Sequence, residues 1–148
     1  MRAVIQRVSS GRVFVDRQLA GQIEHGIVVL LGISNEDTED DADYLAYKIA
    51  NLRIFADSQG KMNLSVKEVK GQMLVISQFT LYGDCRKGRR PSFANAVSPE
   101  IAEELYKYFI QKLGTQGVIV KTGIFQTKML VEINNNGPVT LIIDSKEN

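Results

Sequence analysis

The stretch Gln72-Met73-Leu74-Val75-Ile76-Ser77-Gln78-Phe79-Thr80 begins apolar and ends in hydroxyls and amides. A strand that carries such groups to its end can present them to a substrate, because loops on a rigid scaffold host most chemistry. Alternation predicts Gln78 and Thr80 on one face and Ser77, Phe79 and Leu81 on the other. Thr80 is the natural nucleophile of the set, yet a threonine hydroxyl needs a base. The single histidine, His25, stands beside Gly26 and reads as a turn residue. The single cysteine, Cys85, has no imidazole near it in sequence and reads as a reduced loop thiol.

One cysteine and one histidine make no zinc cluster, so no metal is expected. Neither a phosphate-cradling glycine loop nor a dinucleotide fingerprint nor a hydrolase elbow occurs, so no cofactor is expected. Arg86, Lys87, Arg89 and Arg90 form a cationic run near Tyr82 and Phe93. Such a run suits a nucleic-acid backbone with a stacking aromatic, and suits a solvated surface loop equally. The last chemically unusual stretch is Asn134-Asn135-Asn136-Gly137-Pro138. It leads into Val139-Thr140-Leu141-Ile142-Ile143, a strand composition, although Gly-Pro cannot join a hydrogen-bonded ladder.

These groups must be positioned by a chain of 148 residues, the length of one domain, here residues 1–148. It is 44% hydrophobic and 24% charged with a net charge of +1, an ordinary globular balance. The longest apolar run, Ile27 to Leu31, is far short of the roughly 20 residues that a membrane span needs. The first residues read as a strand and carry no signal-peptide pattern, so a cytoplasmic protein without a membrane partner is expected.

Ala3 to Val8 and Arg12 to Val15 alternate as strands around Ser9-Ser10-Gly11, which predicts a hairpin. A buried-type strand follows over Ile27 to Ile33. Thr38 to Arg53 carries acids in its first turn and apolar residues at helical spacing, so the acidic cluster starts a helix. Leu52 to Phe55 passes into a short strand, and Gln72 to Thr80 is the central strand. A basic loop spans Tyr82 to Asn95. Ser98-Pro99-Glu100 opens a second helix whose buried face is Ile101, Leu105, Tyr108, Phe109 and Leu113. Strands over Val118 to Lys121, Met129 to Ile133 and Val139 to Ile143 complete the order βββαββαβββ. That order predicts a β-rich α+β fold: mixed, mainly antiparallel sheets in a barrel-like β/β/α arrangement, with two principal helices on one side.

Ser77-Gln78-Phe79-Thr80-Leu81 together with Asn134-Asn135-Asn136-Gly137-Pro138-Val139-Thr140 resembles the paired signature of the D-aminoacyl-tRNA deacylases. Met1 to Val8, Tyr82-Gly83-Asp84 and Arg89-Arg90-Pro91-Ser92-Phe93 resemble that family too, so the likeness covers nearly the whole chain. The resemblance implies hydrolysis of the ester that joins a D-amino acid, or glycine, to the 3′-terminal adenosine of tRNA. It implies a homodimer with active sites at the interface and no metal or cofactor.

By the same likeness, Gly137-Pro138 is a cis pair that enters the partner's pocket, and its carbonyls exclude L side chains by contact. Arg7 matches an arginine that holds this pair, and Phe125 and Met129 match positions that line the terminal-adenine pocket. Ser77, Gln78, Phe79 and Thr80 would shape the reaction centre. Amides near Phe79 and Thr80 would stabilise the oxyanion while the terminal 2′-hydroxyl helps activate water. Two other readings stand beside this one. Thr80 could be the nucleophile of an esterase, or the basic loop could belong to a noncatalytic RNA-binding module.

Overall fold

The computed structural model describes residues 1–146. Strand β1 (Arg2–Val15) runs unbroken through Ser9-Ser10-Gly11, where the sequence predicted a turn. Its first half pairs with β3 (Gly26–Gly32) and its second half with β2 (Gln18–Ile23), both antiparallel. The hairpin turn falls instead at Asp16-Arg17, with φ of 48° and 65°. Positive φ at both central residues is what a type I′ hairpin loop requires, and Asp-Arg signals it weakly. Gly11 serves close packing: a Cβ there would stand 2.8 Å from Val28 Cγ2.

After helix α1 (Glu39–Asn51), the short strands β4 (Phe55–Ala56) and β5 (Met62–Leu64) form a separate antiparallel pair. Strand β6 (Gln72–Ser77) pairs parallel with β3, and β7 (Ile119–Thr122) pairs parallel with β6. Helix α2 (Pro99–Thr115) connects these two strands. Strand β8 (Met129–Asp144) lies antiparallel along the other edge of β1. The main sheet is thus ordered β2-β1-β3-β6-β7 with β8 added at β1. Its ends nearly meet, since a Cβ on Gly21 of β2 would lie 2.5 Å from Thr122 O of β7. The result is the mixed, barrel-like, β-rich arrangement with two principal helices that the sequence predicts.

Alternation along the central strands divides the core. Val28, Leu74 and Ile76 join Val8, Val13 and Ile23 inside the barrel, with Met129, Val131 and Ile133 of β8 packed against them. Ile27, Val29, Leu31, Met73 and Val75 face the other way, toward Leu45 and Ile49 of α1 and Phe109 and Leu113 of α2. Burial on both faces explains why these two strands read as continuous apolar runs. On α2 the buried face is Leu105, Tyr106, Phe109 and Leu113. Ile101 is exposed and Tyr108 only partly buried, contrary to the predicted face. Neither helix is long and apolar enough to cross a membrane.

The helical layer is fastened to the chain's end by charge. Lys146 Nζ lies 2.9 Å from Asp41 Oδ2, and the same oxygen accepts the Thr38 N–H at 2.8 Å in a capping box that starts α1. Burial alone would raise the Asp41 carboxyl, but the hydrogen bonds from Lys146, Ser145 and Thr38 outweigh it and hold it well below the usual range. A depressed carboxylate stabilises the fold above its unfolded value, and that stabilisation is lost as pH falls toward its folded value. Asp41→Asn should therefore be less stable than the parent to urea at pH 7. The gap should narrow as pH drops below about 4, the ordinary aspartate value. An equal gap at pH 3 and pH 7 would remove this ion pair from the account.

Candidate active site

Strand β6 stops at Ser77, short of the predicted Thr80, because the chain bends into a 3-10 turn over Phe79–Tyr82. The Gln78 amide makes the last sheet-like bond, donating to Leu31 O at 2.7 Å. Leu81 N–H then donates to Gln78 O at 3.2 Å and Gly83 N–H to Thr80 O at 3.0 Å, which closes the turn. Gln78 and Thr80 consequently meet through their side chains, the Gln78 Nε2 amide donating to Thr80 Oγ1. Among the described residues the amides of Phe79 and Thr80 have no acceptor. Two neighbouring N–H groups are thus free at the tip of the turn.

Arg2 braces this turn from behind. Its Nη2 lies 2.8 Å from Asp144 Oδ2, its Nη1 donates to Leu81 O at 3.3 Å, and its guanidinium sits 5.3 Å from the Tyr82 ring centre. Burial, then the charge of Asp37, pushes the Tyr82 hydroxyl up to about 12, so it stays protonated near neutrality. The last pair of the β1–β8 ladder, Arg2 and Asp144, is therefore tied directly to the candidate reaction centre.

In front of the turn opens a cleft of about 800 Å³. Ser77, Gln78 and Phe79 form one wall, Phe125 and Met129 another, and Val97 and Pro99 close a third side. Phe125 is held against Tyr106 of α2 with ring centres 5.7 Å apart, and Tyr106 donates its hydroxyl to Val75 O at 2.8 Å. Met129 seats its sulfur over Gly123, where a Cβ would come within 2.4 Å of Sδ. Two stretches far apart in sequence thus line one concavity. Gln126 and Thr127 line it as well and were missed. Their signal was a polar turn beside Phe125, between two strand candidates.

Arg7, Gly137 and Pro138 do not line this cleft, and Thr80 is exposed at its edge. The sequence predicts a break between two strands over Asn134 to Pro138, but β8 continues through it. The ladder pairs Gln6 with Thr140 and Val8 with Asn135, so Asn136, Gly137, Pro138 and Val139 all stand opposite Arg7 alone. The extra residues loop out of the strand. Arg7 holds them through Nε to Asn136 O at 3.0 Å, while its Nη1 reaches Ile54 O at 2.6 Å. Asn135 Oδ1 accepts the Val139 N–H at 3.1 Å, and Asn135 Nδ2 donates to Thr140 Oγ1 at 2.9 Å.

The Gly137-Pro138 peptide is cis. Gly137 has φ of 130°, a region that side chains disfavour, and a Cβ there would lie 2.5 Å from Arg7 Nη2. Glycine is therefore favoured by its backbone, and it leaves room for the Arg7 guanidinium packed on it. Gly137 and Pro138 themselves are exposed.

A family described as D-Tyr-tRNA(Tyr) deacylase matches residues 4–144. The chain belongs to the D-Tyr-tRNA(Tyr) deacylase family. It is 60% identical to the D-aminoacyl-tRNA deacylase of Fervidobacterium nodosum and 55% identical to that of Clostridioides difficile, covering 99% of each chain in both cases. Among solved structures it is similar to the c-Myc DNA Unwinding Element Binding Protein, with 40% identity, a TM-score of 0.91 and coverage of 97% and 98%. A "probable eukaryotic D-amino acid tRNA deacylase" shares the fold at 18% identity and a TM-score of 0.82, with the same coverage. The deacylase family thus accounts for the fold from one end of the sheet to the other.

Within this deacylase framework the excursion has a direct structural test. Arg7→Ala removes both carbonyl anchors, so the Val139 amide should exchange its hydrogen markedly faster while protection within β3 and β6 is kept. Unchanged exchange at Val139 would show that Arg7 does not hold the looped residues.

Proposed function

We propose that this chain hydrolyses the ester bond of D-aminoacyl-tRNA, and of glycyl-tRNA, and rejects L-aminoacyl-tRNA. The observation that carries the reading is the meeting of Ser77, Gln78 and Phe79 with Phe125 and Met129 around one cleft, in a chain of the deacylase family. The terminal adenosine packs against Phe125 and Met129, an aromatic face and an adaptable thioether. The ester carbonyl then lies at the 3-10 turn. Water attacks the carbonyl carbon, and charge developing on the carbonyl oxygen is received by the Phe79 and Thr80 amides. The bond to the ribose 3′-oxygen breaks, and that oxygen takes up the proton that water gives up. The neighbouring 2′-hydroxyl orients the water. Gln78 fixes Thr80 and so holds the turn in the geometry that bares the two amides.

Chirality is read by Gly137-Pro138, held by Arg7 and presented to the cleft of a second copy. Two features support a homodimer with active sites at its interface. The excursion and the cleft are separate surfaces of one chain. Just past the excursion, β8 carries two uncovered apolar residues, Leu141 38% and Ile142 71% exposed. In the assembled site the excursion's backbone lies against the Cα of the aminoacyl group, where a D side chain points away and an L side chain collides. Glycine has no side chain to exclude and is cleaved. Residues 1–148 act as one deacylase domain, in the cytoplasm where aminoacyl-tRNA is consumed.

Purified protein should release D-tyrosine from D-tyrosyl-tRNA and glycine from glycyl-tRNA, and leave L-tyrosyl-tRNA at its background rate. Cleavage of none would reject the enzyme, and equal cleavage of the D and L esters would reject the chiral filter. Thr80 separates this route from a protein-nucleophile esterase. Its hydroxyl accepts from Gln78, while His25 is occupied edge-on against Phe55, with ring centres 5.0 Å apart. Loss of one such hydrogen bond, about 1 kcal/mol, should slow Thr80→Ala roughly fivefold. Loss of a nucleophile would cost on the order of 10⁶ in kcat instead.

A further inference from the structure

The cleft is large enough for a terminal nucleoside and its amino acid, and the phosphodiester chain of a tRNA must leave it across the rim. At that rim the basic stretch after Gly83 is folded back as a small hairpin. Asp84 N–H donates to Ser92 O at 2.8 Å and Ser92 N–H to Asp84 O at 3.0 Å, with Gly88 at φ of 69° near its tip. Phe93, at its base, packs edge-on against Phe79 of the reaction turn with ring centres 5.1 Å apart. It also fills the space beside Gly83, where a Cβ would come within 2.9 Å of its ring. The hairpin is thus attached to the catalytic turn by an aromatic contact.

Its four cations are not equivalent. Arg86 forms a two-pronged pair with Asp84, Nε to Oδ1 at 2.9 Å and Nη2 to Oδ2 at 2.7 Å. That pairing lowers the Asp84 carboxyl to about 2. Arg86 therefore closes the base of the hairpin, its charge matched locally. Lys87, Arg89 and Arg90 are exposed and have no carboxylate partner among the described residues.

Building on the function proposed above, we infer that Lys87, Arg89 and Arg90 bind the phosphates of the tRNA 3′ strand as it leaves the cleft, whereas Arg86 is structural. Three uncompensated cations on a hairpin joined to the reaction turn suit a polyanion whose end occupies that turn. The contact is electrostatic, so it adds affinity for any tRNA and reads no base.

The test compares D-tyrosyl-tRNA with D-tyrosyl-adenosine, which carries the same ester and no phosphate. The variant Lys87→Ala/Arg89→Ala/Arg90→Ala should lose at least tenfold in kcat/KM on the tRNA ester, mostly in KM, and keep its rate on the adenosine ester. The slope of log kcat/KM against log salt should flatten by about 2, since three single-strand phosphate contacts contribute about 0.7 each. Arg86→Gln should leave that slope in place. An unchanged slope in the triple variant, or an equal loss on both esters, overturns the inference. Binding of uncharged tRNA reads the same surface without turnover: weakened, less salt-sensitive binding in the triple variant supports it even if no ester is cleaved, and unchanged binding overturns it. Failure of the parent to cleave either ester instead rejects the proposed function.

Discussion

Arg7 sits where the β1–β8 ladder must take in more residues on one strand than on the other, and its guanidinium resolves the mismatch. Opposite it, the backbone from Asn136 to Val139 leaves the sheet and has lost its ladder partners. Water can satisfy the exposed Asn136 carbonyl, so a protein donor there adds fixed geometry to the bond. Arg7 supplies that bond to Asn136 O and a second one to Ile54 O, so the excursion is tied to the segment leading into β4. A lysine has one donor centre and no fork, and could not span both carbonyls in fixed geometry. Beyond a second irregularity at Ser9 the ladder is regular in both directions, which mounts the looped residues on paired strand.

The same ladder reaches the candidate reaction turn at its far end. Arg2 and Asp144 are cross-strand partners, and Arg2 also binds Leu81 O behind the free amides. One strand pair therefore fixes the candidate reaction turn and the excursion by arginines projecting from β1. Between them the barrel interior and the helical layer bury both faces of β3 and β6, so the turn after Ser77 hangs from deeply buried strands. Both features stand at ends and defects of regular elements, where backbone groups become available.

Much of this could be read from the residues. Continuous apolar runs identified β3 and β6, and helix-start signals placed α1 within a residue of Thr38 and α2 at Pro99. The errors share a cause, because local sequence does not show how two strands register. Ser9-Ser10-Gly11 looked like a turn, yet Gly11 is a close-packing residue in an unbroken strand, and the true turn at Asp16-Arg17 lacks glycine. Asn136 to Val139 looked like a break between strands, since only pairing with β1 reveals a bulge. Alternation puts Thr80 on a strand face, but the strand ends at Ser77 and the chain bends into a 3-10 turn. The joining of Phe125 with Ser77 was not visible in spacing, because parallel pairing of β6 with β7 brings them together.

The central claim is that the excursion held by Arg7 selects handedness and does not merely support the sheet. The direct measurement is the ratio of kcat/KM for D-tyrosyl-tRNA to that for L-tyrosyl-tRNA in Arg7→Ala and in the parent. The account predicts that L-ester cleavage rises and the ratio falls at least tenfold, equivalent to about 1.4 kcal/mol of lost discrimination. A lower rate on the D ester with the ratio unchanged would contradict it, and would leave Arg7 as a structural residue alone.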